Sequence, residues 1–454
     1  MQGKIKVKDA LRVTNGNLIC GNENEEIGKV VRDSREVRDG DTYIALKGEK
    51  FDGNDFYKEA IENGAKVCIL SKDAKITKEN TEKHNATIIM VDDTLEALQE
   101  IAAYKRSLYD IPVIAITGSV GKTSTKDLVA SVVSQKYKTL KNQGNYNNDI
   151  GLPLTILSLT DEEALVVEMG MNHFGEIRKL TNIAKPTIAV ITNIGTAHIG
   201  NLGSRENILK AKMEILEGLQ TNKIVINNDN DLLHEWVLKN KEKYDVSTYG
   251  IVNDSDVMAK DIKAYENKSE FTVDDTKITV PVGGEHFVLN SLCGITVGKL
   301  LEISLPKIAN GIENLELSKK RMEITNSKTG AILINDTYNA NYDSMSAAIN
   351  YLKKLQNKRK IAVLGDMLEL GDFSKQLHEN VGKEVTESID ILITVGSESK
   401  YIAQMAKAKE IFIFNNNEEA INKLKQIISK DDAILFKASN GMKFSEIVEA
   451  LKAC

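Results

Sequence analysis

Cysteine is scarce in this 454-residue sequence, and the four that occur lie far apart, at Cys20, Cys68, Cys293 and Cys454. The absence of Cys-x-x-Cys spacing excludes the common zinc and dithiol motifs and favours reduced thiols in a cytoplasmic protein. The first residues, MQGKIKVKDALRV, lack the continuous apolar segment of a signal peptide, and no apolar run reaches the length of a membrane span. We therefore expect a soluble protein with no membrane partner.

The sequence also lacks a surplus of positive charge. Its 59 Lys and Arg residues against 65 Asp and Glu residues give a net charge of -6. A general nucleic-acid-binding protein usually carries a basic stripe, so we expect no nucleic-acid partner. Low-complexity tracts and short repeats are absent as well. A chain of 454 residues is too long for one ordinary core, and several domains are expected.

Short apolar runs separated by helical patterns predict an α/β fold in three parts. The first hundred or so residues mix short strands and helices, and Pro112 then precedes a new apolar strand. Alternating strands and helices follow, which is typical of a parallel sheet covered on both faces, and the alternation starts again near Leu317. We predict a small N-terminal α/β domain at 1–108, a central parallel-sheet domain with a phosphate loop at 109–315, and a C-terminal doubly wound domain at 316–454.

The segment ITGSVGKTSTKD contains Gly-Lys-Thr, the centre of a nucleotide phosphate loop, but its first glycine is only four residues before Lys122. The common motif has a glycine six residues before the lysine. An apolar strand precedes the segment and a helical pattern follows it, so backbone N–H groups would face the phosphates. Lys122 would neutralise phosphate charge and Thr123 would bind Mg²⁺. A βα turn that contains Gly-Lys-Thr by chance is the alternative. The predicted phosphate-binding residues are Gly118, Ser119, Val120, Gly121, Lys122, Thr123 and Ser124.

Two polar residues follow later strands of the predicted central sheet. Glu168 ends the strand ALVVE, and His198 lies beyond the strand in TIAVITNIG. Open α/β sheets bind ligands at these carboxyl ends, so both residues are candidate Mg²⁺ ligands. A strand-end glutamate is otherwise often a solvated or capping residue, and a lone histidine is often structural. A GTPase is disfavoured because the nearest Asn-Lys-x-Asp candidate, at 222–225, has no aspartate.

Lys212 lies in a predicted helix, SRENILKAKMEILEGL, on the same face as Ile208, Ile215 and Leu219. Lys210 points roughly the opposite way. A lysine on an apolar face is seldom fully buried without a partner. From geometry alone, we expect its amine to reach solvent along the helix surface.

Together these segments resemble the Mur ligase family of peptidoglycan synthesis. The resemblance is carried by ITGSVGKTST, VEMGMNHFGEI, NIGTAHIGNLGSRENILKAKMEI and INDTYNANYDSM, and it extends from about Asp33 to Leu451. The short Gly-x-x-Gly-Lys-Thr loop is this family's own form. The resemblance implies that 1–108 binds the UDP end of a substrate, 109–315 binds ATP, and 316–454 completes the ligase site.

The family resemblance also implies a reaction and its cofactors, ATP and Mg²⁺. The γ-phosphoryl group of ATP is transferred to a carboxylate, and an amine attacks the resulting acyl phosphate to form an amide. The implied substrates are UDP-N-acetylmuramoyl-tripeptide and D-alanyl-D-alanine. A sibling ligase that adds one amino acid, or a folylpolyglutamate synthase, is the nearest alternative, but the siblings carry a different Asp-Tyr-Ala motif at TYNANYDSM. A regulatory ATPase is an alternative of another class. We expect a monomer.

By resemblance, the candidate catalytic residues are Lys122, Glu168, His198 and Lys212. Thr123, Glu168 and His198 match Mg²⁺ ligands, and Lys212 matches a lysine that the family carries as a carbamate. Three more residues match nucleotide contacts: Asn290 at the adenine, Arg321 at the ATP phosphates, and Asp336 nearby. Without the resemblance these three are a helix-start cap, a solvated charge and a strand-end turn former.

The remaining candidates match substrate contacts of the family. The uracil and diphosphate residues are Ser34 and Arg35, and those around the UDP-sugar are Lys47, Gly48, Asp52, Gly53 and Asn54. Residues lining the central cleft are Asn145, Asn147 and Asn148, and those at the dipeptide end are Asn339, Asn341, Asp366, Met367 and Glu369. Two positions depart from the family pattern: Tyr342 replaces a proline, and Asn440 replaces an arginine that contacts substrate.

Overall fold

The structure is a computed structural model that describes residues 3–76, 86–356 and 358–453, so Cys454 lies outside the described residues. Its first sheet has five strands in the order β1-β5-β4-β3-β2; β1 is antiparallel to β5, and the other pairs are parallel. The elements are α1 (Val7–Thr14), β1 (Asn17–Cys20), β2 (Val30–Val31), β3 (Thr42–Ile44), α2 (Tyr57–Glu62), β4 (Val67–Ser71), β5 (Thr87–Val91) and α3 (Thr94–Ser107).

The second sheet has seven parallel strands in the order β12-β11-β10-β9-β6-β8-β7. Its elements are β6 (Val113–Thr117), α4 (Lys122–Val133), β7 (Thr139–Lys141), α5 (Gly151–Leu157), β8 (Ala164–Glu168), α6 (Glu176–Ala184), β9 (Ile188–Ile191), α7 (Ile199–Leu202), α8 (Arg205–Met213), β10 (Lys223–Asn227), α9 (Asp231–Asn240), β11 (Asp245–Gly250) and β12 (Val257–Met258). Every residue of β6 is buried, as expected of a strand covered on both faces.

A small antiparallel sheet and two helices complete the central region. They are β13 (Lys260–Ala264), β14 (Ser269–Val273), β15 (Thr276–Val280), α10 (Glu285–Leu300) and α11 (Leu305–Glu313). The three strands fall in the stretch whose sequence is rich in turns and β-like residues. Helix α10 begins at Glu285, so Asn290 is an interior residue of this helix. Its alternative interpretation as a helix-start cap is therefore wrong.

The last sheet has the order β16-β17-β21-β18-β19-β20, with only β16 antiparallel to its neighbour. Its elements are β16 (Glu323–Asn326), β17 (Ile332–Asn335), α12 (Tyr342–Lys354), β18 (Arg359–Gly365), α13 (Ser374–Glu384), β19 (Ile391–Val395), α14 (Lys400–Met405), β20 (Glu410–Phe414), α15 (Asn417–Ile427), β21 (Asp432–Lys437) and α16 (Ser445–Lys452).

The predicted α/β class with three domains is confirmed. The domain boundaries stay predictions; they fall in the connections between α3 and β6 and between α11 and β16. One apolar core continues from the central sheet into the C-terminal region through Ile334, Met345 and Leu352. Among the described residues, no helix is long and apolar enough to cross a membrane.

The helix that carries Lys212 is shorter than predicted. Helix α8 ends at Met213 and a 3-10 turn follows at Glu214–Glu217, so Leu219 lies outside the helix. The expectation that the Lys212 amine reaches solvent is wrong, because the residue is only 1% exposed. The opposite orientation of Lys210 is confirmed, since that residue is exposed.

Candidate active site

The phosphate loop connects the end of β6 to the start of α4, and two glycines determine its course. Gly121 has a φ of 79°, in the left-handed region that favours glycine. At Gly118 a Cβ would lie 1.9 Å from Oγ1 of Thr192, so the neighbouring strand end leaves no room for a side chain. The predicted strand–turn–helix context of the loop is therefore present, with the first-turn N–H groups of α4 at the loop.

Lys122 folds back over the loop that carries it. Its Nζ donates a hydrogen bond of 2.8 Å to the carbonyl oxygen of Gly118. Burial lowers the pKa of Lys122, and the charge of Arg321 lowers it further, while Glu168 acts in the opposite direction. A half-buried cation held by carbonyl dipoles and one nearby carboxylate is a suitable partner for a polyphosphate anion.

Glu168, at the end of β8, is the point on which several segments converge. The Thr123 hydroxyl donates to Oε2 of Glu168 at 2.8 Å, and the Asn147 side chain donates to Oε1 at 2.7 Å. Thr123 in turn accepts a hydrogen bond of 2.9 Å from Arg321. The phosphate loop and the 145–148 loop thus meet at one carboxylate, and the start of the C-terminal region is joined to it through Thr123.

Arg321 is therefore not a solvated charge. Its guanidinium carbon lies 3.8 Å from the centre of the Tyr338 ring, a cation–π geometry. Its Nε is buried and has no hydrogen-bond partner among the described residues. A buried guanidinium with an unused donor fits a phosphate oxygen. Sequence reasoning missed Tyr338, although it stands beside Asn339 in the TYNAN motif.

His198 is held between the central and C-terminal regions. It has a φ of 64° immediately before α7, and its Nδ1 lies 2.9 Å from Oε2 of Glu369. Burial lowers the pKa of His198; the Glu369 hydrogen bond opposes this, and the charges of Lys122 and Lys212 add to it. A neutral imidazole is the form that ligates metals.

The backbones of the two regions also touch beside His198. A Cβ on Gly200 would lie 2.7 Å from the backbone nitrogen of Gly371, so nothing larger than hydrogen fits at Gly200. Close by, the Thr196 N–H donates to the Asp343 carboxylate at 3.1 Å. These contacts hold the C-terminal region against the end of β9.

Lys212, on α8, is buried. Burial lowers its pKa well below the usual lysine value, and the charge of Lys122 lowers it further, while Glu168 opposes the shift. Desolvation therefore favours an unprotonated amine. Such an amine is a nucleophile, which an exposed lysine at neutral pH is not.

The donors near Glu168 suit a hard cation. Mg²⁺ prefers oxygen ligands and is usually held by one or two carboxylates together with substrate phosphates and water. The Glu168 carboxylate and the Thr123 hydroxyl supply such oxygens. Within the described ranges no group of three or more His, Cys, Asp and Glu side chains is placed to hold a metal. The residues therefore fit a Mg²⁺ ion that shares its ligands with a bound nucleotide.

Most predicted residues of the central and C-terminal regions line one cavity of about 570 Å³. They are Ser119, Val120, Gly121, Lys122, Thr123, Asn145, Asn147, Asn148, Glu168, His198, Arg321, Asn339, Asn341 and Glu369. Lining residues that sequence reasoning missed include Asn172, Glu176, Lys179, Tyr338 and Ser344. The cavity therefore joins the phosphate loop to the C-terminal residues predicted at the dipeptide end.

A smaller neighbouring cavity of about 130 Å³ holds the predicted nucleotide contacts. Ser124, Asn290 and Asp336 line it, as does His286, which was not predicted. The Lys437 amine donates to the Asp336 carboxylate, so Asp336 does more than end a strand. Val120, Gly121 and Arg321 border both cavities, which places the smaller one directly beside the phosphate loop.

Asp366 and Met367 line neither cavity. The Asp366 carboxylate accepts hydrogen bonds from the backbone N–H groups of Ser397, Glu398 and Ser399 at 2.7 to 3.1 Å. Met367 is buried. The Asp366 carboxylate therefore fixes the turn before α14.

The predicted UDP residues lie in the first domain and bond locally. The Ser34 hydroxyl donates to Glu59 at 2.6 Å, and the Arg35 guanidinium lies 2.6 Å from Asp33. The backbones of Lys47 and Asp52 form an isolated antiparallel β-bridge. It closes a hairpin-like loop that contains Gly48 and leads into Gly53. Asn54 donates to the Ser71 hydroxyl at 2.7 Å. These residues form two loops of the N-terminal domain.

A phosphate loop beside a buried carboxylate, closed by an arginine from a second α/β domain, defines a nucleotide-dependent enzyme whose reaction occurs between domains. The chain belongs to the Mur ligase family. Family models described as the Mur ligase family catalytic domain, the Mur ligase middle domain and the Mur ligase glutamate ligase domain match residues 26–106, 116–298 and 320–440.

Relatives of similar length match this sequence over nearly all of its residues. The UDP-N-acetylmuramoyl-tripeptide–D-alanyl-D-alanine ligase of Bacillus subtilis is 37% identical, over 99% of this chain and 98% of that protein. A crystal structure of MurF from Acinetobacter baumannii has a TM-score of 0.90 at 32% identity and covers 99% of both chains. The MurF ligase from Thermotoga maritima, solved in complex with ADP, has a TM-score of 0.82 at 31% identity, over 94% of this chain and 97% of that chain.

Proposed function

We propose that the chain is an ATP-dependent ligase that joins D-alanyl-D-alanine to UDP-N-acetylmuramoyl-tripeptide in peptidoglycan precursor synthesis. Full-length similarity to relatives of that name supports the substrate pair. The observation that carries the reaction class is the hydrogen bond from Arg321 to Thr123, because it joins the C-terminal domain to the phosphate loop within one cavity. Nucleotide and acceptor groups can therefore meet there.

The reaction proceeds in two steps. A carboxylate oxygen of the tripeptide attacks the γ-phosphorus of ATP, the bond to the β-γ bridging oxygen breaks, and ADP leaves. The dipeptide amine then attacks the carbonyl carbon of the acyl phosphate, loses a proton, and expels inorganic phosphate as the amide forms. Activation is needed because an ionised carboxylate is a poor electrophile, and catalysis comes mainly from positioning and charge neutralisation.

The cationic side chains have distinct tasks in this scheme. Lys122 leaves the Gly118 carbonyl to bind β- and γ-phosphate oxygens, and Arg321 stabilises the charge on the transferred group through its free Nε. Thr123, Glu168 and His198 are the residues that would hold Mg²⁺, which neutralises phosphate charge when bound. Asn290 and Asp336 hold the nucleoside end in the smaller cavity.

We further propose that Lys212 acts as a carbamate. Its unprotonated amine adds to the carbon of CO₂ and releases a proton, which leaves an anion in place of a cation. Burial and the proximity of Lys122 support this, because both lower the pKa of the amine. The carbamate would offset the charges of Lys122 and a cation, and it gives this lysine a reason to lie on an apolar helix face.

The outer substrate contacts follow the family pattern. The loops with Ser34, Arg35 and 47–54 bind the UDP-sugar, and Asn339, Asn341 and Glu369 face the dipeptide. Asp366 and Met367 act there only through the loop that carries Glu369, since they lie outside the cavity.

Tyr342 is the first residue of α12 after the N-cap Asn341, the position where proline is favoured, so this departure preserves the helix start. Asn440 is exposed in a short turn at 440–442, and an arginine contact is lost there.

An assay of ATP turnover distinguishes the alternatives. The ligase should release phosphate only when UDP-N-acetylmuramoyl-tripeptide and D-alanyl-D-alanine are both present, and ¹⁸O from the tripeptide carboxylate should appear in that phosphate. Turnover with a single amino acid would indicate a sibling ligase, and rapid turnover with neither acceptor would indicate a regulatory ATPase. Comparing tripeptides that end in lysine or diaminopimelate identifies the third residue.

We also propose that the enzyme is a monomer located in the cytoplasm. Cys20, Cys68 and Cys293 are free thiols, which accords with a reducing compartment. Sedimentation of the purified chain measures its oligomeric state.

A further inference from the structure

A buried carboxylate outside both cavities holds the segment that joins the central and C-terminal domains. Asp127, on α4, is 1% exposed. Its Oδ2 accepts two hydrogen bonds from Ser318, one of 3.0 Å from the backbone N–H and one of 2.7 Å from the hydroxyl. Ser318 lies in the connection between α11 and β16. Asp127 takes no part in the proposed reaction.

Two residues of this linker are attached to successive turns of α4. Thr123 and Asp127 are four residues apart and so lie on one face of the helix. Ser318 binds Asp127, and Arg321, three residues later, binds Thr123. The position of the arginine therefore depends on the attachment of the serine.

The linker backbone itself is under constraint on both sides of Arg321. Lys320 has a φ of 63° and Met322 a φ of 46°, both in the left-handed region that residues other than glycine seldom adopt. Such conformations persist where surrounding contacts fix them. The Ser318 and Arg321 hydrogen bonds are contacts of this kind, and without them we expect the segment to relax.

Two lysines keep the Asp127 carboxylate ionised. Burial alone would raise its pKa, but Lys126 and Lys141 outweigh burial, and the pKa is lowered. Both ammonium groups approach Oδ1, Lys141 at 2.7 Å and Lys126 at 3.4 Å. Oδ2 is thereby left to the linker. Because a buried ion pair is seldom more stable than apolar residues of the same volume, stability alone does not explain this cluster.

The same cluster reaches the backbone of Glu168. Lys126 donates to the carbonyl oxygen of Asn142 at 2.9 Å. The Asn142 side chain accepts a hydrogen bond of 2.9 Å from the backbone N–H of Glu168. One buried polar network thus connects the interdomain linker, the phosphate-loop helix and Glu168.

We propose that Asp127 and Ser318 are positioning residues whose hydrogen bonds fix the linker on α4 and so hold Arg321 at the nucleotide phosphates. The kinetic part of this proposal rests on the proposed ligase function, while the structural part does not. Loss of the Ser318 hydroxyl leaves only the backbone N–H bond to Asp127, so the linker is held less firmly and the arginine spends less of its time in reach of the transferred phosphoryl group.

Hydrogen exchange on the full chain tests the structural part. Ser318→Ala should accelerate amide exchange in residues 318–322 by about threefold to tenfold, the loss of one hydrogen bond to a buried carboxylate, without changing exchange in β6. Ser318→Thr keeps a hydroxyl and should stay near the wild type. Unchanged exchange in Ser318→Ala would overturn the proposal.

Kinetics test whether Ser318 acts through Arg321. Ser318→Ala should lower kcat about fivefold with a smaller change in KM for ATP, and should have no further effect in an Arg321→Ala background. Thr248→Val is the matched control, because Thr248 also donates its N–H and hydroxyl to one carboxylate, that of Asp256, at 2.7 Å each. Additive losses in the double variant would overturn the proposal. A wild type without ligase activity would refute the proposed function instead, and hydrogen exchange would still decide the role of Ser318.

Discussion

The central cavity and the N-terminal loops are built in different ways. In the cavity, predicted residues contact partners that are distant in the chain: Arg321 donates to Thr123, 198 residues away. In the N-terminal loops, Arg35 binds Asp33 two residues away and Ser34 binds Glu59 in the same domain. The first arrangement depends on how domains pack and the second on local loop geometry. Substitutions in the cavity should therefore lower the rate, and those in the loops should weaken substrate binding.

The largest effect is expected at Lys212. Lys212→Ala removes the proposed carbamate, and ligation should fall by at least about 10³-fold, with partial recovery when acetate or another short carboxylic acid is added. Phosphate release at increasing acid concentration measures the recovery. Lys210→Ala, on the exposed side of the same helix, is the control and should stay near the wild type. Full activity of Lys212→Ala without acid would exclude the carbamate.

Arg321→Ala should have the next largest effect, because it removes the hydrogen bond that joins the C-terminal domain to the phosphate loop. We expect kcat to fall about 10²-fold, since the arginine stabilises charge in the transition state, with a smaller rise in KM for ATP. Lys319→Ala, at a nearby exposed position, is the control. An effect confined to KM would show that Arg321 only binds nucleotide.

The role of the N-terminal loops in substrate binding is tested at Arg35. Its side chain is 78% exposed, so Arg35→Ala should leave the melting temperature unchanged. If it binds the diphosphate, KM for the UDP substrate should rise about tenfold while kcat stays within about twofold. Arg32→Ala, a neighbouring exposed arginine, is the control. A fall in kcat without a change in KM would contradict the division between the two regions.

The two regions also differ in the cause of their altered pKa values, which predicts a smaller effect on stability. A hydrogen bond from Arg35 lowers the pKa of Asp33 to about 2, whereas burial lowers the pKa of His286 to about 4. The histidine of the unfolded chain titrates near 6.5. The contribution of the neutral His286 ring to the free energy of unfolding is therefore complete above that pH and is lost as the pH falls toward 4.

Between pH 7 and pH 5 this loss corresponds to about 2 kcal/mol of unfolding free energy. His286→Gln cannot titrate, so its melting temperature should fall less than that of the wild type over the same interval. Thermal denaturation at both pH values measures the difference. Equal falls in the two proteins would show that His286 is not desolvated in the folded state.

Local features of the site were predictable, and contacts between domains were not. The phosphate loop has a strand before it and a helix after it in the sequence, and Glu168 ends a continuous apolar run, so both could be placed correctly. The burial of Lys212 depends on the packing around α8, which helical spacing does not reveal. The contact of His198 with Glu369 and the hydrogen bond of Arg321 to Thr123 join segments that are far apart in the sequence. Their proximity follows only from how the chain folds. The role of Asp366 at the dipeptide stays a prediction, because a strand-end aspartate can cap a turn or face a ligand equally well.

The contact between Gly200 and Gly371 has a consequence for how the two regions are joined. Where regions meet through interlocked side chains, each contact requires rotamers to be fixed. Two bare backbone segments have no rotamers to lose, so this contact forms at little cost in side-chain entropy. A single added methyl group at Gly200 would overlap the Gly371 backbone and force the two segments apart.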